Sequence, residues 1–152
     1  MDKQKTLKFA ELIIIFFIVV ILLSTVIVTY INFTKNYNYK STKENYFTII
    51  SIINSEKENC SKGSNKWVWN DEVTIICGSI LLENHIGKFF NNTIKLKNPY
   101  DKEKAVYEVS SIPDILKPGV NYVILNQDNN TLKINTLLKY DGKLLETIKH
   151  FK

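Results

Sequence analysis

The chain has 152 residues, enough for one membrane-length helix and one small domain, with a net charge of +5 and only two cysteines. Its lysines alternate with acids and Asn along the whole length, without a dense basic block or interleaved Arg. That distribution argues against a nucleic-acid groove, which gathers its charge on one face.

The leader-like basic segment, residues 1–6, opens with Met1-Asp2-Lys3-Gln4-Lys5-Thr6. It runs into Leu7-Lys8-Phe9-Ala10-Glu11 and then an apolar stretch, Leu12 to Ile31, that holds no charge, Gly or Pro. At about 1.5 Å per residue, twenty such residues cross a hydrocarbon core of roughly 30 Å. The stretch is longer than a signal-peptide core and no Ala-x-Ala-like site follows it, so residues 7–31 read as a retained transmembrane helix in contact with a lipid bilayer. A carboxylate at the border of such a run is costly to desolvate, which singles out Glu11.

Residues 32–59 continue as an amphipathic helix. Tyr46, Ile49, Ile50 and Ile53 recur at helical spacing, with Glu44, Ser51, Ser55 and Glu58 opposite. The Asn-rich patch Asn32–Asn38 is the weak point of this helical run, because Asn competes for local backbone hydrogen bonds.

Residues 60–152 read as a β-rich globular domain. Val73–Cys77, Thr93–Lys97 and Ala105–Val109 are strand candidates, and Leu81–Phe90 fits a short helix. Two hairpins follow. Tyr122–Asn126 and Thr131–Thr136 flank Gln127–Asn130, and Leu137–Tyr140 and Lys143–Phe151 flank Asp141-Gly142. The expected fold class is α+β: a long N-terminal helix packed on a small C-terminal antiparallel sheet.

Cys60 and Cys77 both follow the membrane segment. Pairing them fits an oxidising compartment, which places the N-terminus in the cytoplasm and the domain outside; two unrelated buried thiols are the alternative. A bond across this loop would contribute about 3 kcal/mol in the chain-entropy model.

Catalytic constellations are scarce. His85 and His150 are the only histidines and lack nearby ligands at metal spacing, which argues against a zinc site. Cys77-Gly78-Ser79 has nucleophile residue types without an oriented base. Trp67 and Trp69 flank Val68 and read as one core ring and one ring against the disulfide loop, with an exposed binding patch as the alternative. Neither an enzyme nor a cofactor is expected.

The basic leader, the apolar helix with Glu11 near its start, the amphipathic helix and the C-terminal sheet together resemble a type IV pilin or pseudopilin. The family's Gly-Phe-Thr-Leu-Ile-Glu-Leu corresponds here to Thr6-Leu7-Lys8-Phe9-Ala10-Glu11-Leu12. Glu-Asn-Cys-Ser-Lys-Gly, Thr-Ile-Ile-Cys-Gly and Asn98-Pro99-Tyr100 are similar to stretches of some short pilins. Thr6 stands where the family has Gly, and the family's helix Pro is missing.

The resemblance implies cleavage between Thr6 and Leu7 by a prepilin peptidase and methylation of the new amine. It also implies an inner-membrane assembly platform and polymerisation with other pilin subunits through the N-terminal helix. Glu11 would pair with the neighbouring subunit's N-terminus, in a type IV pilus or a type II secretion-type filament at the cell surface. The alternative is an uncleaved single-pass protein of the inner membrane with a periplasmic binding or accessory domain.

Overall fold

A computed structural model describes residues 3–62, 85–101, 103–126, 129, 131–139 and 142–150. The expectations for Val73–Cys77, Trp67, Trp69 and Cys77 lie outside these residues. The chain divides into two units, residues 1–37 and 38–152.

Helix α1 is Lys3–Ser61. Its assignment includes residues 3–6 of the segment read as a leader and runs unbroken through Asn32–Asn38, read as the weak point of the run. No Gly or Pro occurs in it, so nothing covalent interrupts the main-chain ladder. Glu58 Oε1 accepts from Lys62 Nζ at 2.5 Å, one turn on, near the helix end.

In the second unit α1 buries the stripe its spacing predicts. Tyr46, Ile49 and Ile53 are buried, Ile50 is half-buried, and Glu44, Ser51, Ser55 and Glu58 are exposed. The stripe joins Ile86, Phe89, Phe90, Ala105, Val106, Val123, Leu125, Leu132 and Ile134 in one core. Each fully buried aliphatic side chain there contributes about 1.5–3 kcal/mol.

The remaining elements are α2 (His85–Lys88), a π-helical turn (Phe89–Thr93), β1 (Val106–Val109), β2 (Asn121–Asn126), β3 (Thr131–Leu137) and β4 (Leu144–His150). The strands form one sheet in the order β1-β2-β3-β4, so the fold is α+β with a mixed sheet.

Three details of the expected sheet are corrected. First, β1 pairs with β2 in parallel, Val106 opposite Asn121, and only β2–β3 and β3–β4 are antiparallel. The reason lies in residues 110–120, which are about long enough for the crossover that parallel neighbours need and turn into β2 at Pro118-Gly119, where Val120 N–H donates to Lys117 O at 3.4 Å. Gly119 serves that return with φ +79°, and a Cβ on it would fall 2.0 Å from Asn98 Oδ1.

Second, Thr93–Lys97 is not a strand. The π-turn ends with Ile94 N–H donating to Phe89 O (3.0 Å) and Leu96 N–H to Phe90 O (2.9 Å), and Lys95 takes φ +60°. Ile94 and Leu96 still pack on the core, which is why the alternation read as extended. Phe89 and Phe90 meet edge to face at 5.3 Å.

Third, Leu137 closes β3 instead of opening a new strand. Leu137 pairs with Leu144, Leu138 N–H donates to Lys143 O at 3.1 Å and Gly142 N–H to Lys139 O at 3.2 Å, so the strands are joined one residue earlier than a turn at Asp141-Gly142 would place them.

A buried polar chain ties the first three strands together. Thr136 Oγ1 donates to Asn121 Oδ1 (2.6 Å), Asn121 Nδ2 to Ala105 O (3.0 Å), and Asn121 N–H to the same carbonyl (2.8 Å). On the other side of the sheet from this chain's neighbours, Tyr107 and Tyr122 stack at 6.5 Å.

Candidate functional site

Two places carry unusual chemistry: the apolar half of α1, and a cleft at the start of α2.

Every side chain from Leu12 to Ile31 is exposed in the first unit, an unbroken hydrocarbon surface. It makes α1 the one helix among the described residues that is long and apolar enough to cross a membrane. Its three polar residues turn their hydroxyls inward to the helix backbone. Ser24 donates to Ile21 O, Thr25 to Leu22 O and Thr29 to Thr25 O, each at 2.8 Å. A hydroxyl satisfied by its own helix costs little in hydrocarbon. Tyr30, Phe33 and Tyr37 follow, all exposed, at the border where amphipathic rings suit the headgroup layer.

Glu11 is exposed on α1 one residue before this surface begins. Thr6 and Leu7 lie on the same helix, one turn earlier, and their side chains lie outside the description. Cys60 is half-buried against the core and disulfide-bonded, while Cys77 lies outside the described residues.

The second place was missed in the sequence. A cleft of about 320 Å³ is lined by Gly87, Lys88, Asn91, Lys104, Tyr107 and Glu108, among others. Asn91 reaches across from the π-turn and occupies the outer edge of β1. Its Oδ1 accepts from Ala105 N–H and Val106 N–H (both 3.1 Å), and its Nδ2 donates to Val106 O (2.7 Å). Glu108 Oε1 accepts from Ile86 N–H at 3.0 Å, satisfying one of the free amides in the first turn of the short helix. Its Oε2 is buried, with no hydrogen-bond partner among the described residues. Burial pushes the Glu108 carboxyl above the ordinary 4.5, against the opposing pull of the Ile86 and Gly87 amides and of the His85 and Lys88 charges.

The signal was present. In Val106-Tyr107-Glu108-Val109 the period of two puts Glu108 on the face of Val106, where an acid breaks the inward apolar pattern. His85 is half-buried beside this acid and His150 is exposed at the end of β4.

No protein-family model, curated protein or solved structure matches this chain.

Proposed function

We propose that this chain is a pilin-like structural subunit, held in the inner membrane by the first half of α1 and assembled through it into a type IV pilus or related secretion filament. The observation that supports the reading is the exposed surface from Leu12 to Ile31, ending at a single acid, Glu11. Such a surface is stable only in a bilayer or against copies of itself. Both are used in turn when subunits leave the membrane and bundle their helices.

In the bundle each incoming amino terminus enters a low-dielectric core and needs a counter-charge. The neighbour's Glu11 supplies it, which sets the register between subunits. A contact of this head-to-tail kind does not close on itself, so it propagates as an open helix. Cleavage between Thr6 and Leu7 would create the amine, and methylation would follow.

Leaving a buried charge unpaired costs about 3–5 kcal/mol, so Glu11→Ala should lower recovery in sheared surface fibres by at least about tenfold. The folded domain and the oxidised Cys60 should be unchanged. Undiminished incorporation of Glu11→Ala overturns the role given to this acid. Mass analysis of the mature N-terminus decides the processing step: methylated Leu7 supports the filament subunit.

A second reading is favoured by one observation, Thr6 in the position before the cut. Its branched side chain would block a peptidase that prefers Gly. The intact leader, with Lys3 and Lys5, would then keep the chain as a single-pass anchor carrying a periplasmic binding or accessory domain. An intact Met1 in the same mass analysis identifies that outcome.

A further inference from the structure

The two edges of the sheet are treated differently. The outer edge of β1 is capped at Val106, whose main-chain groups Asn91 occupies, and α2 binds the Glu108 side chain beside it. Among the described residues, no strand pairs with the outer edge of β4. Its direction follows from the ladder: Leu138 N–H donates to Lys143 O, and Gly119 N–H to Leu137 O. Even-numbered residues of β3 therefore face β4, and odd-numbered ones face β2. With Thr136 opposite Leu145 and Ile134 opposite Thr147, the main-chain groups of Leu144, Glu146, Ile148 and His150 point away from β3. Among the described residues only one of these groups is engaged, the His150 carbonyl, which accepts from Lys57 Nζ at 2.7 Å.

The side chains of the same four residues share the face turned from α1, since Thr147 bonds to Tyr46 and Leu145 packs on the core. Leu144 and Ile148 are 44% and 49% exposed. A seven-residue edge with bulky apolar side chains and few inward charges is the kind that natural sheets normally protect.

We propose that this edge pairs with a second copy of itself, β4 against β4 in antiparallel, joining two four-stranded sheets into one. The sequence Glu146-Thr147-Ile148-Lys149-His150 is self-complementary about Ile148. Centred there, Ile148 faces its twin and Glu146 faces His150 on both sides of the two-fold axis. Centring on Glu146 opposes two carboxylates, and centring on Thr147 sets Glu146 against Ile148, so charge selects the first register. Glu146 is ready for the contact. Lys133 Nζ (2.9 Å) and Asn135 Nδ2 (3.2 Å) both donate to its Oε2, leaving Oε1 to accept from the facing imidazole. The His150 carbonyl has a second lone pair for the ladder besides the one Lys57 uses.

This pairing is independent of the filament reading and uses a different part of the chain. Its test is Ile148→Cys in the full chain, in native membranes, oxidised with copper phenanthroline. Directly opposed residues on paired strands lie about 5.5 Å apart between Cα atoms, within the range a disulfide bridges. The expected result is a reducible product at twice the 17.7 kDa of the chain. Leu144→Cys, which has no twin opposite it in this register, should give at least fivefold less. Adding His150→Glu to Ile148→Cys should lower the yield at least fivefold, and adding His150→Lys should preserve it. Glu11→Ala should leave the yield unchanged while reducing fibre incorporation, which separates failure of either reading. Equal yields at positions 144 and 148, no product from protease-resistant protein, or a product of another mass marking a different occupant each overturn the proposal.

Discussion

Glu108 holds its carboxyl on the core side of β1 with one oxygen bonded to Ile86 N–H and the other without a partner among the described residues. Desolvation raises its pKa in the folded chain, so the folded state binds this proton more tightly than the unfolded state does. The sign of the linkage follows. The contribution of Glu108 to stability is most favourable in acid and is lost as pH rises from the ordinary 4.5 through the raised value. Glu108→Gln keeps an acceptor for Ile86 and has no proton to lose. Urea unfolding at a series of pH values should show a fall in stability across that window for the parent and a flatter line for the variant. Parallel lines would refute the assignment. The acid is thus held in place by geometry and opposed by its surroundings, a pattern common where a side chain serves more than packing.

At the scale of elements, α1 fixes the second unit by burying one stripe. Ile53 is fully buried in it, so Ile53→Ala should lower domain stability by about 2–5 kcal/mol. Ser51→Ala, on the exposed side, should stay within about 0.5 kcal/mol in the same denaturation experiment. The stripe was legible because four apolar residues at helical spacing have one geometric meaning. Strands β1 to β4 were legible in outline for the parallel reason that their alternation is regular. What stayed hidden depends on partners distant in sequence. The parallel direction of β1 comes from where residues 110–120 carry the chain, and no local pattern encodes that. Thr93–Lys97 alternates like a strand, yet the Asn91 side chain already occupies the edge of β1 where another strand would pair. In the candidate site, Glu11 was visible as a charge beside hydrocarbon. Glu108 was passed over because one acid in a short strand gains meaning only when its face is known.

At the scale of the whole molecule, α1 is the element that a bilayer would take up. After alkaline extraction of membranes the chain should remain in the pellet, as detected by immunoblot. Ile18→Lys combined with Ile21→Lys adds about 2.5–3.5 kcal/mol per residue to insertion and should move most of the protein to the supernatant. Full retention of that double variant would show that something other than this segment holds the chain. The hydroxyls of Ser24, Thr25 and Thr29 carry one more consequence. The proton of each is spoken for by its own helix, so only the oxygen lone pairs remain to receive a contact from an adjacent membrane segment. In lipid, copies of such a segment would attract chiefly through the fit of their side chains.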